Sequence, residues 1–251
     1  MRFSFPSFRR QPVTTPPSVP EGWRVYAVGD VHGCKLQLDR LLDAIETDRT
    51  RDDLAVHIVF LGDLVDRGPD SAGVIERLRG TLPANSVTFL AGNHEEVMLD
   101  CYDGNAERCG AWLQYGGLQT LESYGLTRTE IFAQPELLPE LMQARIPPEH
   151  INFLRTFEDQ VQIGDYLFVH AGVRPGVSFE QQAPKDLRWI REEFLSDTSD
   201  HGSIVVHGHT ISEEIDVKSN RIGVDIGCYI NGKLAALVLE GAERGRLIAR
   251  A

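Results

Sequence analysis

Six side chains of types that hold metal ions, Asp30, His32, Asp63, Asn93, His170 and His209, fall in five short segments. These are GDVHG (29–33), GDLVDRG (62–68), GNHE (92–95), VHAG (169–172) and HGHT (207–210). The set mixes imidazole with carboxylate and amide oxygen and has no thiolate apart from Cys34, directly after the first segment. Such nitrogen and oxygen ligation suits manganese first, with iron or zinc as alternatives, rather than a cysteine-rich structural zinc site or an all-oxygen calcium cage. Six ligands are too many for one catalytic ion that must keep open positions. Two divalent ions sharing a carboxylate fit the count, and a pair about 3.5–4 Å apart is an arrangement used for in-line attack on phosphorus.

Each segment follows an apolar run: RVYAV (24–28), HIVFL (57–61), VTFLA (87–91), DYLFV (165–169) and SIVVH (203–207). In open α/β sheets ligands gather outside the carboxyl ends of the strands, so shared strand direction brings the five segments together. The flanking glycines let the chain turn sharply there and approach a ligand closely. Leu38, Leu41, Leu42 and Ile45 recur at i, i+3, i+4 and i+7, the stripe of a helix lying on a sheet. SAGVIERLR (71–79) reads as a second helix, which completes a βαβαβ half. From about residue 100 to 160 the pattern turns helical, broken by Gly116-Gly117, PELLPE and Pro147-Pro148, and reads as an insertion. RIGVDI (221–226) and KLAALVLE (233–240) are expected as strands around a turn at Asn231-Gly232. Residues 1–22, with TTPPSVPEG, read as a flexible lead-in, and 23–251 as a single α/β domain.

A chain of 251 residues, 42% hydrophobic, can bury a full core without a disulfide scaffold. Its formal charge of −12 disfavours nucleic acid and anionic membrane surfaces as partners. No apolar run approaches the roughly 20 residues that span a bilayer. The four cysteines, Cys34, Cys101, Cys109 and Cys228, form no CxxC pair. They are expected as free thiols in a reducing, cytoplasmic setting, Cys101 and Cys109 included.

GDVHG, GDLVDRG and GNHE, in that order, resemble the signature of the phosphoprotein phosphatase family within the calcineurin-like metallophosphoesterases, in its bacterial serine/threonine phosphatase form. The resemblance is strong over residues 24–95 and looser over 166–210. It implies a four-layer α/β/β/α sandwich with two mixed sheets and a dinuclear centre at their edge. By the same resemblance Asp30, His32 and Asp63 hold one ion, and Asp63, Asn93, His170 and His209 the other, with Asp63 as the bridge. A hydroxide held between the ions attacks phosphorus in line. His94 protonates the leaving oxygen, Asp66 orients and charges that imidazole, and Arg67 grips phosphoryl oxygens with a planar fork. Asn93 also faces the phosphate. A second arginine comes from LRWIREEF, with Arg191 preferred and Arg188 as the alternative.

The implied substrate is a phosphorylated protein or a small phosphoester, with no obligatory regulatory subunit. An alternative is hydrolysis of diadenosine tetraphosphate, though relatives of that kind keep another residue where Asp66 stands. A third is a non-catalytic module that binds phosphoproteins, which has no need of a positioned proton donor. The C-terminal loop typical of eukaryotic members is replaced by DIGCYINGK (225–233). Among the other histidines, His57 reads as packed in a strand, His150 as surface or capping, and His201 as solvated. His207 reads as neighbouring the ions without holding one. Cys34 reads as a small buried residue opening a helix, and Trp112, Leu113, Leu118, Leu121 and Tyr124 as the core of the insertion.

Overall fold

The computed structural model describes residues 15–80 and 86–251. Val25, Tyr26, Ala27 and Val28 are fully buried in succession, as in a strand covered on both faces. This strand, β1 (Trp23–Val28), pairs in parallel with β2 (Ala55–Phe60), and β2 with β3 (Val87–Phe89). The intervening helices are α1 (Lys35–Arg49) and α2 (Ser71–Arg79). Leu38, Leu41, Leu42 and Ile45 of α1 are all buried, as their spacing requires. Asp70 caps α2 by accepting the Gly73 N–H at 2.8 Å, a contact worth about 1 kcal/mol. Antiparallel β9 (Lys233–Glu240) and β10 (Glu243–Arg250) complete a five-stranded mixed sheet in the order β10-β9-β1-β2-β3.

The second sheet has the order β4-β5-β6-β8-β7. Its strands are β4 (Gln160–Ile163), β5 (Tyr166–Val169), β6 (Ile204–His207), β7 (Asp216–Val217) and β8 (Arg221–Gly223). β5, β6 and β8 run parallel. Val25, Ala27, Val59 and Leu61 meet Tyr166, Phe168, Val206 and Ile222 in the core between the sheets. Leu187, Ile190 and Phe194, around α9 (Pro184–Trp189) and α10 (Glu192–Leu195), cover the far face of the second sheet. α1, α2 and the insertion cover the outer face of the first. Two mixed sheets enclosed by helices is the expected sandwich.

The insertion runs through α3 (Asn93–Tyr102), α4 (Ala106–Trp112), a π-type turn at Leu113–Gly117, α5 (Leu118–Ser123), α6 (Arg128–Ala133), α7 (Leu138–Arg145) and α8 (Pro148–Leu154). It is helical as expected, and it corrects one reading of the cysteines. Cys101 and Cys109 face each other across the α3–α4 hairpin with Cα atoms 5.3 Å apart and form a disulfide. That is within the reach a bridge needs, and it removes the argument for a reducing compartment from four free thiols. Cys34 and Cys228 are free and buried, and Cys34 is the residue before α1, as expected.

Other expectations are corrected as well. β8 and β9 do not form a hairpin; they lie in different sheets, joined through α11 (Cys228–Asn231). His150 is buried between the Tyr124 hydroxyl at 2.8 Å and Glu76 at 3.0 Å rather than on the surface. His201 packs on Phe194 and Asn220 rather than standing in solvent. The lead-in joins the fold before Trp23: Val19 is buried, and its N–H donates to Gly241. Residues 1–14 of that segment lie outside the described residues. Among the described residues no helix is long and apolar enough to cross a membrane.

Candidate metal centre and phosphate site

The loops after β1, β2, β3, β5 and β6 converge at one edge of the two sheets. Five non-glycine residues there have left-handed backbones: His32 (φ 46°), Asp63 (51°), Asp66 (73°), Arg67 (67°) and His209 (60°). Such angles disfavour side chains, so the surrounding structure must impose them. Glycines complete the fit. A Cβ on Gly62 would stand 2.8 Å from His170 Nδ1, and one on Gly92 would stand 2.1 Å from Asp63 Oδ1.

Ligand atoms of His32, Asp63 and His94 lie within 4.8 Å of one another, and so do those of Asp63, His170 and His209. Asp63 belongs to both groups. His32 Nδ1 faces the Val65 carbonyl at 2.8 Å and His170 Nδ1 faces the Leu61 carbonyl at 2.7 Å. Those carbonyls can only accept, so each Nδ1 carries the proton and each Nε2 presents a lone pair. His170 Nε2 then faces Asn93 Oδ1 at 3.0 Å, His209 Nδ1 at 3.2 Å and Asp63 Oδ1 at 3.5 Å. A buried meeting of acceptors with no proton among most of them is satisfied by a cation. Burial pushes the His32 imidazole down to about 3 and lowers His170 too, keeping both rings neutral as ligation requires. Burial and the neighbouring His170 hold His209 down at about 2. Although burial disfavours its charge, Asp63 is held well below the usual carboxylate range by the four surrounding histidines. The donor set therefore fits a dinuclear metal site.

Asp30 lies beside these groups, not within them. Both of its oxygens are 3.1 Å from the His209 backbone N–H. Burial, then the charges of Asp225 and Asp63, raise its pKa well above normal. Asp225, which the sequence reading did not single out, is itself buried, and burial raises it to about 6. His207 belongs to neither group: its Nδ1 faces the Gly208 carbonyl at 3.0 Å and its ring packs edge-on against Phe194.

His94 Nδ1 is 2.6 Å from Asp66 Oδ2, while Arg67 Nη2 lies 3.1 Å from His94 Nε2. Burial lowers the His94 pKa, but the Asp63 charge and the Asp66 hydrogen bond outweigh it and lift the imidazole to about 9. Asp66 is wholly buried and held from the insertion. Trp112 Nε1 donates to Asp66 Oδ2 at 2.8 Å, and Thr120 Oγ1 to Asp66 Oδ1 at 2.6 Å. Arg67 also donates to the Tyr229 hydroxyl at 2.7 Å.

Two arginines of LRWIREEF are separated by their partners. Arg188 is ion-paired with Glu96 at 3.3 Å and Asp159 at 2.6 Å. The Arg191 guanidinium has no hydrogen bond or ion pair among the described residues, and it lines one cavity with Arg67, Asn93 and His94.

The sequence reading also passed over Glu95, although GNHE contains it. Its buried carboxylate accepts the backbone N–H groups of Asp63 (2.8 Å), Leu64 (2.7 Å), Val65 (3.3 Å) and Gly92 (2.9 Å). It thereby ties the GDLVDRG loop to the start of α3. Tyr229 and Thr120 gave no signal of their own and Trp112 read only as core of the insertion, since all three reach the site through tertiary packing.

Comparison with known proteins agrees with this architecture. The chain is 30% identical over 224 residues to serine/threonine-protein phosphatase 1 of Salmonella typhimurium, covering 85% of this chain and 91% of that protein. It is 30% identical over 157 residues to a symmetrical bis(5'-nucleosyl)-tetraphosphatase of Nitrosospira multiformis and 32% over 156 residues to that of Methylococcus capsulatus. Each match covers 62% of this chain, which spans only about half of those relatives, 46% and 45%. A crystal structure of a putative diadenosine tetraphosphatase superposes with a TM-score of 0.63 at 23% identity, covering 94% of this chain and 99% of that one, which shows a shared fold. The calcineurin-like phosphoesterase family model matches residues 24–237, spanning every segment of the site, and the chain belongs to that family.

Proposed function

We propose that the chain is a dinuclear-metal phosphomonoesterase that acts on phosphoserine and phosphothreonine in proteins. The observation that carries this reading is the Asp66–His94–Arg67 chain of contacts beside an Asp63 shared by two groups of histidines. The Salmonella phosphatase, similar over nearly its whole length, supports the choice of substrate.

In this reading His32 and Asp63, with Asp30 adjoining, hold one ion, and Asp63, Asn93, His170 and His209 the other. When bound, the ions offset the substrate's negative charge and acidify water toward neutrality. Manganese fits the donors best, with iron or zinc as alternatives. The remaining chemistry belongs to the side chains. Arg67 and Arg191 bind phosphoryl oxygens, with the Asn93 side chain at the same wall. His94 keeps Nδ1–H on Asp66 and carries the transferable proton on Nε2. A proton on Nε2 leaves the ring no acceptor for Arg67, so the charged imidazole and the guanidinium both present donors to the phosphate. The leaving oxygen takes the Nε2 proton as the P–O bond breaks.

Hydrolysis of diadenosine tetraphosphate is the second reading, favoured by the two tetraphosphatases matched over 62% of this chain. Incubating the manganese-loaded protein with a phosphoserine peptide and with diadenosine tetraphosphate side by side separates the two. Faster turnover of the peptide is expected; turnover of the dinucleotide alone overturns the first reading.

A further inference from the structure

Two buried thiols stand outside the metal-binding groups and take no part in the chemistry described so far. Cys34 immediately precedes α1, two positions after His32, and Cys228 opens α11, one position before Tyr229. They are 5% and 2% exposed, and the two thiols hydrogen-bond each other. The elements that carry them are neighbours in space: a Cβ on Gly232, the residue after α11, would stand 3.7 Å from the Gln37 amide of α1. Because Cys101 and Cys109 already form a bridge, these are the two free thiols of the chain.

A cavity of about 570 Å³ leads to the pair, lined by both cysteines together with Lys35, Arg67, Asp70 and Tyr229. A small oxidant entering it meets two sulfurs in contact, which favours a bridge over deeper oxidation of one of them. α11 is also able to move. It is a single turn of four residues between Gly227 (φ 74°) and Gly232 (φ 69°), and without side chains at either end the backbone is free to turn there. Tyr229 couples that turn to the site. Its hydroxyl accepts from Arg67 at 2.7 Å, its ring lies 4.8 Å from Arg67 Cζ, and the same ring stands edge-on to His32 at 5.2 Å. Any displacement of Cys228 is therefore one residue from the arginine at the phosphate site.

We propose that Cys34 and Cys228 are a site of reversible oxidation, forming a disulfide with hydrogen peroxide that draws α11 toward α1 and takes Tyr229 off Arg67. One sulfur accepts an oxygen from the peroxide as the O–O bond breaks and a first water leaves. The second sulfur displaces that oxygen, which departs as a second water, and the S–S bond forms. Two electrons and both thiol protons pass to the oxidant. A dithiol reductant reverses the step by exchange and is itself oxidised to its disulfide. With Tyr229 withdrawn, Arg67 loses the contact that aims its fork, and phosphate binding weakens while His94 and the metal-binding side chains stay in place. The oxidation itself is independent of the substrate, whereas its effect on turnover rests on the phosphate-binding role proposed for Arg67.

The test treats the manganese-loaded full chain with hydrogen peroxide, maps its peptides by mass without reduction, and follows hydrolysis of a phosphoserine peptide. A peptide pair joining Cys34 to Cys228 is expected beside the Cys101–Cys109 pair present beforehand. KM is expected to rise about tenfold with kcat little changed, the loss of one charge-assisted hydrogen bond, and dithiothreitol is expected to restore it. In Cys34→Ser and in Cys228→Ser peroxide should leave KM unmoved. Mapping the parent needs no variant, so a substitution that fails to fold does not shield the proposal. Absence of the Cys34–Cys228 pair, or sulfinic acid at one of the two in its place, overturns the site. A bridge that leaves KM unmoved overturns the coupling to Arg67, and a KM rise that persists in Cys228→Ser assigns the damage to the metal centre and overturns it too. No turnover of any phosphoester by the untreated chain overturns the proposed function, and the peptide map then decides the oxidation site by itself.

Discussion

Asp63 is the residue on which both histidine groups depend, and its replacement is the sharpest test of the centre. Asp63→Asn is expected to abolish hydrolysis and lower metal content measured by elemental analysis, because the lost charge serves both groups. His94→Asn should instead leave metal bound while slowing hydrolysis on the order of a hundredfold. The loss should be greater for alkyl than for aryl phosphates, since a phenol, with pKa near about 10, departs with less help from an acid. Equal losses on both would remove the proton-donor role. Glu95 acts one step back. Glu95→Gln turns a charge-assisted acceptor of four backbone N–H groups into an amide with donors of its own, which destabilises by roughly 1.5–3 kcal/mol. The expected signature is a lower Tm together with weaker manganese binding by calorimetry.

Elements carry the predictions that concern stability. The Cys101–Cys109 bridge closes a short loop between α3 and α4, and its loss should cost about 2.5 kcal/mol. Thermal unfolding with and without reductant, compared with Cys109→Ser, measures it: reductant should lower the Tm of the parent and leave the variant unmoved. The outer face of β1 offers a pH test. Tyr26 donates to Asp48 at 2.6 Å, and this bond holds the Asp48 carboxyl below its ordinary 3.8. A folded-state pKa below the unfolded one stabilises the protein above about 3.8 and ceases to do so as pH falls through the folded value. Asp48→Asn should therefore melt lower than the parent at pH 7, with the gap closing below pH 3.8. A gap independent of pH would assign the effect to something other than ionisation.

For the molecule as a whole, much was legible in the sequence because the ligand-bearing loops follow strands with uninterrupted apolar runs. α1 and α2 were read from periodicity, and α2 matches residue for residue at Ser71–Arg79. β10 was not, since only Leu247, Ile248 and Ala249 interrupt an otherwise polar, mostly exposed edge strand. β8 and β9 misled because a turn dipeptide between two apolar runs says nothing about which sheet each joins. At the site, residues inside contiguous motifs were found, while Thr120 and Trp112, 54 and 46 positions from Asp66, depend on packing that no local pattern encodes. The candidate ligands come from both sheets, Asp63 and Asn93 following the first and His170 and His209 the second. Metal should therefore stabilise the whole sandwich, by about 2.7 kcal/mol at a hundredfold excess over Kd. Manganese is expected to raise Tm in the parent and to have a much smaller effect in Asp63→Asn, and a chelator should reverse the rise.

The left-handed backbones at His32, Asp63, Asp66, Arg67 and His209 have a consequence for durability. Each such angle costs of order 1 kcal/mol or more, relieved by glycine. A polypeptide shaped for endurance alone would carry glycine at all five positions and melt later. Imidazole, carboxylate and guanidinium stand there instead, so reactivity and robustness compete at the same handful of peptide units, and hardening this fold without blunting it must begin elsewhere.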